Sequence, residues 1–214
     1  MSEQIYYHFL SAKNAFEDLE RERIKISLLD DLNDLFEFWP YLRHKTGEEI
    51  KRYQEVHKAI SREYGLLCFS TDRAEQLLWT SYADRHKGIA IGFEVLNKVP
   101  LKVDYTSDEK RPKILLTDDL EKNKKLFLNL ATKKYERWKH ENEHRILVKL
   151  DDCLRKDPYF LNFENRLNVK EVVLGSRFDY KNEKEYAEKL ANKFKAIVIS
   201  TRPERQGYKI TKRG

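Results

Sequence analysis

The most informative stretch of the sequence is Cys68-Phe69-Ser70, followed by Leu78-Trp79-Thr80-Ser81-Tyr82-Ala83-Asp84-Arg85-His86-Lys87-Gly88. Its apolar start predicts a buried strand, its middle predicts a short helix, and Gly88 predicts a turn into a second buried strand. Tyr82, Asp84 and His86 crowd the end of the helix, where polar and aromatic side chains can line a pocket. The stretch therefore indicates one half of a binding site.

A second polar and aromatic cluster lies far downstream, at Trp138-Lys139-His140-Glu141-Asn142-Glu143-His144-Arg145. It leads into another predicted strand, His144 to Leu150. Because both clusters lie where a helix meets a strand, we expect them to form two halves of one site.

The composition is that of one domain with a basic excess. A chain of 214 residues suits a single domain spanning residues 1–214. Lys and Arg number 42 against 36 Asp and Glu, for a net charge of +6. This balance fits either an anionic partner such as nucleic acid or a soluble surface biased toward Lys. A cytoplasmic protein without a membrane partner is expected, because neither a signal peptide nor an apolar run of about 18 residues is visible.

Hydrophobic periodicity predicts an α+β fold with helices flanking a central, mostly antiparallel sheet. Thr46 and Glu49 resemble a capping box at the start of a helix, and the chain ends in a basic tail, residues 202–213. Strands are predicted at 5–10, 24–28, 66–70, 89–93, 101–105, 144–150, 169–174 and 196–201. Helices are predicted at 14–21, 46–64, 74–84, 118–138 and 182–194.

Aromatic and histidine side chains are the first candidates for ligand contacts. His8 shares a face of its strand with Tyr6, and is either a core histidine or a contact to a ribose or an amide. Tyr82 follows Trp79 by three residues, so both can face one side of a helical turn. A tyrosine with a free hydroxyl suits stacking on a base or a nicotinamide, although core packing explains the same pattern.

Carboxylates at the second cluster are the candidates for catalysis. Glu141 and Glu143 alternate with Arg145, which puts all three on one face if the strand begins there. The group is either a structural ion pair or a catalytic carboxylate tuned by its neighbours. With 7 glycines in the chain, a phosphate cradle of backbone amides is not expected.

At these residues the chain resembles a widespread bacterial family of uncharacterised domains. The resemblance rests on Leu32 to Glu37, Cys68-Phe69-Ser70, Trp79 to Gly88, Trp138 to Arg145 and Val172-Val173-Leu174-Gly175. The chain departs from the family pattern in two places. It has Leu35 where the family has Pro, and Ser81 where the family has His.

The order of these parts also resembles an ADP-ribosyltransferase fold, including its DNA-modifying toxin branch. The resemblance implies NAD as the cofactor and His8, Tyr82 and Glu143 as the catalytic residues. Glu143 would act near the ribose 2′-hydroxyl, and Tyr82 would stack on nicotinamide. The other expected NAD contacts are Tyr6, Ser70, Trp79, His86, Glu141 and Arg145.

The resemblance implies an NAD-dependent transferase that modifies RNA or DNA in a bacterial toxin or antiphage role, with an antitoxin or regulatory protein as a further partner. Two alternatives remain open. One is a nucleic-acid-binding module without catalysis. The other is a metal-dependent nuclease built on Glu141, Glu143, Asp84 and His86, although no metal-ligand motif is visible in the sequence.

Overall fold

The structure, a computed structural model, describes residues 4–38, 45–113, 116–117, 119–154 and 158–213, without the side chains of residues 109 and 120. The strands are β1 Tyr6–Leu10, β2 Arg23–Lys25, β3 Ser27–Leu28, β4 Tyr64–Ser70, β5 Ile89–Val95, β6 Leu101–Lys102, β7 Asp104–Thr106, β8 Lys133–Tyr135, β9 Glu143–Lys149, β10 Phe160–Asn162, β11 Leu167–Leu174, β12 Ile197–Pro203 and β13 Ile210–Lys212. The α-helices are α1 Ala12–Arg21, α2 Gly47–Ser61, α3 Gln76–Ser81, α4 Leu120–Leu130 and α5 Lys184–Lys193. Short 3₁₀ helices lie at Leu29–Asp31, Asp108–Lys110, Glu136–Glu141 and Leu150–Asp152.

Nine of these strands form the main sheet. Their order is β13-β12-β11-β5-β1-β4-β9-β6, and β3 pairs with β4 beside this path. In the described part of the chain, β11 and β12 are the one parallel pair of this sheet. The prediction of an α+β fold with a mostly antiparallel sheet is confirmed.

Helices cover both faces of the sheet. On one face, α1 and α5 bury Leu19 and Ala187 against the first hydrophobic core. On the other face, α3 buries Trp79 beside β1, where its ring meets Phe9 edge-on at 5.1 Å. Beyond it, α2 and α4 bury Tyr53 and Phe127 in a third cluster. The second face thus carries two separate clusters with room between them.

The capping box predicted at the start of α2 is present. Thr46 Oγ1 accepts a hydrogen bond from Glu49 N at 3.2 Å, and Glu49 Oε2 accepts one from Thr46 N at 2.9 Å. The two bonds satisfy backbone donors that the helix itself leaves unpaired.

The long helix predicted over 118–138 is wrong in length. Its first residue, Asp118, lies outside the described residues, and α4 ends at Leu130. Lys133–Tyr135 then forms a strand parallel to Asp104–Thr106, and Trp138 lies in a 3₁₀ helix. The pairing of Lys133–Tyr135 with Asp104–Thr106 overrides the helical pattern of the sequence. It begins just beyond the end of α4, where Asp104 N donates a hydrogen bond to Thr132 O at 2.8 Å.

The strand predicted over 24–28 is split in two, because β2 pairs with β10 while β3 pairs with β4. Neither β10 nor β13 was predicted from the sequence, and β13 pairs with β12 inside the predicted basic tail. In the described residues, no helix combines the length and the apolar character that crossing a membrane requires.

The helix predicted over 74–84 ends earlier, at Ser81. Asp84, Arg85 and His86 follow in the left-handed region, at φ of 43°, 52° and 71°. Gly88 closes this turn against β1, where a Cβ atom would lie 2.0 Å from Leu10 O. Glycine is therefore required here by close backbone approach.

Candidate active site

A cleft of about 200 Å³ lies between the two clusters on the α3 face of the sheet. We call it the first cleft. Three neighbouring strands form its floor, since Tyr7 of β1 pairs with Ser70 of β4, and Ser70 pairs with Glu143 of β9. Residues paired directly across a sheet point to the same face, so these three side chains share the floor.

Tyr82 and the strap, residues 32–38, form the walls of the first cleft. Tyr82 Oη donates to Glu141 Oε1 at 2.6 Å and accepts from Asn33 Nδ2 at 2.5 Å. Burial, reinforced by the charge of Glu141, raises the pKa of Tyr82 far above its usual value. The phenol is therefore a fixed hydrogen-bond donor and not a base.

Five charged side chains, each at most 7% exposed, form an ion-pair cluster at the polar end of the first cleft: Glu37, Lys134, Glu141, Glu143 and Arg145. Lys134 Nζ lies 3.1 Å from Glu37, 2.5 Å from Glu141 and 3.1 Å from Glu143. Burial acts to lower the pKa of Lys134, but the three carboxylates outweigh it, so the amine stays charged.

Arg145 holds Glu143 with a fork of two hydrogen bonds. Its Nε and Nη2 donate to the two carboxylate oxygens at 2.7 and 2.8 Å. Nη2 also lies 2.5 Å from Glu37, and Nη1 donates to Ala131 O at 2.8 Å. This planar arrangement fixes both partners in the way that guanidinium groups favour.

The cluster holds three carboxylates and two cations, so with all five ionised it carries one excess negative charge. Burial acts to raise the pKa of Glu143, but Arg145 and Lys134 overcome it and lower that pKa to about 2. At Glu37, burial prevails over the same two cations and raises the pKa. Glu37 is accordingly the carboxyl of this pair that takes up a proton first.

Glu143 is the more heavily occupied of the two carboxylates at the first cleft. It accepts two bonds from Arg145 and one from Lys134 at 3.1 Å. A carboxylate offers about four acceptor positions, so three of those of Glu143 are used. Glu141 accepts one bond on each oxygen, from Tyr82 and from Lys134, and keeps capacity on both.

A left-handed residue separates the two carboxylates. Asn142 has φ of 43° and lies between the 3₁₀ helix that ends at Glu141 and the strand that begins at Glu143. Its Nδ2 donates to Thr71 Oγ1 at 2.5 Å. We expected strand alternation to put Glu141 and Glu143 on one face. In the structure, Glu141 precedes the strand, and the turn at Asn142 brings the two carboxylates together.

The structure brings Tyr82, Ser70, Glu141 and Glu143 together at the first cleft, but not the ring of His8. His8 borders the cleft through its main chain, because alternation puts its side chain on the opposite face of β1. There its ring packs at 6.1 Å from that of Phe69, and Nδ1 donates to Cys68 O at 3.0 Å.

Two other expected NAD contacts lie away from the first cleft. Tyr6 shares the far face of the sheet with His8, and its ring contacts those of Phe69 and His144 at 6.2 and 5.4 Å. Trp79 is fully buried in the core, and its Nε1 donates to Arg73 O at 2.8 Å. Core packing therefore accounts for both residues.

Neither Arg145 nor His86, both expected to contact NAD, lines the first cleft. Arg145 belongs to the ion-pair cluster behind the cleft wall. His86 lies in the left-handed turn, where Nε2 is 3.1 Å from Thr80 Oγ1, and neither it nor Asp84 lines the first cleft. In the part of the chain that the structure describes, no group of three or more His, Cys, Asp or Glu side chains is placed to hold a metal ion.

Two residues of the ion-pair cluster, Glu37 and Lys134, were not predicted from the sequence. Glu37 ends the segment Leu32 to Glu37, which carried the family resemblance, and this position was the available signal. Lys134 was missed because it falls within the Lys-rich helix predicted over 118–138. In the structure, α4 ends before it, at Leu130. Its ammonium group also lies 4.9 Å from the centre of the Trp138 ring.

Residues 78–146 match the model of a domain family, DUF2971, described as a protein of unknown function. The matched range contains Tyr82 and four members of the ion-pair cluster, whereas Glu37 and the floor strands β1 and β4 lie outside it. No curated protein and no solved structure matches the chain.

Proposed function

We propose that the first cleft binds the nicotinamide riboside end of NAD and promotes transfer of ADP-ribose to a nucleic acid. The observation that carries the proposal is the ion-pair cluster, a buried group at the end of a cleft that has one excess negative charge when all five of its members are ionised. Such a group stabilises positive charge more strongly than it would in water, because the surrounding protein screens it less.

The size of the cleft limits which part of NAD it takes. A volume of about 200 Å³ is smaller than the roughly 300–1,000 Å³ of sites that enclose a whole drug-sized ligand. The nicotinamide and its ribose are therefore the enclosed part, with the ring against Tyr82. The remainder of NAD lies outside the first cleft.

In the proposed reaction, the bond between ribose C1′ and the nicotinamide nitrogen breaks, and nicotinamide leaves with the bonding electrons. Positive charge develops at C1′ and the ring oxygen of the ribose. A hydroxyl or amine of the acceptor then bonds to C1′ and releases its proton to solvent. The excess negative charge of the cluster favours the charged state over the substrate.

Glu141 is the carboxylate that contacts the ribose in this proposal. It keeps acceptor capacity on both oxygens, while Glu143 already accepts three hydrogen bonds from Arg145 and Lys134. Glu143 acts as a positioning residue that fixes Lys134 and Arg145, and Tyr82 orients Glu141 through their 2.6 Å hydrogen bond. The role first expected of Glu143 thus passes to its neighbour two residues earlier.

Incubation of the full chain with NAD labelled on the adenylate, in the presence of mixed RNA, DNA and protein, tests the proposal. Label on a nucleic acid that resists denaturation is the expected result. A Tyr82→Ala variant, which removes the aromatic wall, should transfer little. Absence of transferred label from the folded wild-type chain with all acceptors would refute the proposal.

A nucleic-acid-binding module without catalysis is the second candidate. The pairing of Glu143 with Arg145 and Lys134 favours it, since a purely structural ion pair has the same contacts. Such a module would bind RNA or DNA with an affinity that falls steeply with salt. It would leave NAD intact at every salt concentration.

A further inference from the structure

A second cleft of about 240 Å³ adjoins the first one. Lys134 lines both clefts. The strap also contributes to both, with Glu37 in the first cleft and the flanking Phe36 and Phe38 in the second. Phe38 is 3% exposed and has φ of 56°, a strained conformation that its burial holds in place.

One side of the second cleft carries a ring that is open to solvent beside a cation. Phe36 is 62% exposed. The Arg111 guanidinium lies 5.3 Å from the centre of this ring, and its Nη2 donates to Phe36 O at 3.1 Å. An accessible ring next to a guanidinium is a surface on which a nucleobase stacks.

The lining of the second cleft also includes groups that suit a phosphate. Lys133 contributes an ammonium group that pairs with Asp104 at 2.5 Å, and Thr106 and Ser107 also line the cleft. Asp108 is the acidic lining residue of the described set, and both it and Asp104 are exposed to solvent. Solvent weakens their competition with an incoming anion for the cations.

We propose that the second cleft binds a nucleoside monophosphate unit, with its base on Phe36 and its phosphate between Arg111 and Lys133. The unit is either a free nucleotide or one nucleotide within a chain, since the two share this chemistry. The proposal does not rest on NAD cleavage in the first cleft. The two clefts can therefore be tested separately.

Titration of the full chain with AMP by calorimetry tests the proposal. We expect saturable binding that weakens about tenfold in Lys133→Met, because a charged partner of the phosphate is lost. Phe36→Ala should weaken it as well, and adenosine should bind at least about tenfold more weakly than AMP. Lys122→Met is the matched control, since Lys122 lies on α4 with a side chain 71% exposed.

Thermal unfolding of each variant shows whether it is folded. Displacement of AMP by a ten-nucleotide oligoadenylate would assign the site to a nucleotide within a chain, and lack of displacement would assign it to a free nucleotide. No saturable AMP binding at millimolar concentration would overturn the proposal. Equal weakening by Lys122→Met and Lys133→Met, or equal affinity for adenosine and AMP, would overturn it too.

Discussion

Lys134 is in contact with three buried carboxylates, and its replacement tests the ion-pair cluster at the scale of one residue. Lys134→Met replaces the lysine with an apolar side chain of similar length and so removes the charge. The variant leaves Glu37, Glu141 and Glu143 facing one cation, and breaking a buried pair of this kind costs about 3–5 kcal/mol. We expect urea unfolding at pH 7 to give a free energy of unfolding lower by that amount.

The neighbouring Lys133 provides the control for this prediction. Its ion pair with Asp104 is on the surface, where such pairs contribute about 0–1 kcal/mol. Lys133→Met should therefore change the free energy of unfolding by less than about 1 kcal/mol. If Lys134→Met were as mild, the cluster would not be the electrostatic centre described above.

Asp18 gives a prediction about pH. It is buried on α1, and burial raises its pKa to about 7, although Arg23 opposes the shift. A carboxyl with a raised folded pKa stabilises the protein below its unfolded pKa, and this contribution is lost as pH rises from about 4 to about 7. Asp18 should therefore lower the free energy of unfolding of the wild type by about 2–4 kcal/mol over this pH range. The Asp18→Asn variant should not show this decrease.

Urea unfolding of wild type and Asp18→Asn between pH 4 and pH 8 provides the measurement. The stability of the variant relative to wild type should rise with pH over this window and then level off. Asp108→Asn, a change at an exposed residue, should shift the stability by less than about 0.5 kcal/mol at every pH. A difference between Asp18→Asn and wild type that does not vary with pH would contradict the burial argument.

At the scale of elements, the turn at Asn142 joins the 3₁₀ helix to β9 and brings Glu141 and Glu143 to the same cluster. Asn142→Val puts a β-branched residue at φ of 43° and removes the hydrogen bond to Thr71. We expect it to cost about 2–3 kcal/mol, from backbone strain and the lost bond together.

Asn142→Gly separates these two contributions. Glycine adopts a positive φ without strain, so this variant loses the hydrogen bond and should cost about 1 kcal/mol. Thermal unfolding ranks the two variants. Equal losses would mean that the left-handed conformation of Asn142 has little energetic weight.

Elements that are specified by a local sequence signal could be predicted from the sequence, and elements that depend on pairing with a distant segment could not. The capping box at Thr46 and the alternation at Ile89 to Phe93 are local signals, and both elements are present. The end of α4 at Leu130 is not local, because Lys133–Tyr135 leaves the helical pattern only to pair with Asp104–Thr106. Strands as short as β10 and β13 carry too few residues for a period to be visible.

At the scale of the whole molecule, the sequence predicted that the two clusters around Tyr82 and Glu143 meet, and the first cleft joins them. It did not predict on which face of the sheet His8 lies relative to Glu143. The relative orientation of His8 and Glu143 is set by the register between β1 and β4 and between β4 and β9. The sequence of a single strand does not contain this information. Glu37 was missed for the same reason, since its partners are far away in the chain.

The central claim is that the carboxylate of Glu141 stabilises a cationic ribose in the first cleft. Glu141→Gln keeps the shape of the side chain and removes its charge, so the excess negative charge of the cluster disappears. Losing such a group typically slows the chemical step by about 10²–10³-fold. Because the amide can still accept from Lys134, the cost in stability should stay below about 3 kcal/mol.

The most direct measurement is the rate of nicotinamide release from NAD by wild type and Glu141→Gln, with the unfolding free energy of both measured alongside. We expect release by the wild type and a fall of at least about 100-fold in kcat for the folded variant, with a smaller change in KM. Release at the wild-type rate by a folded Glu141→Gln protein, or none by the wild type with RNA, DNA and protein acceptors present, would contradict it.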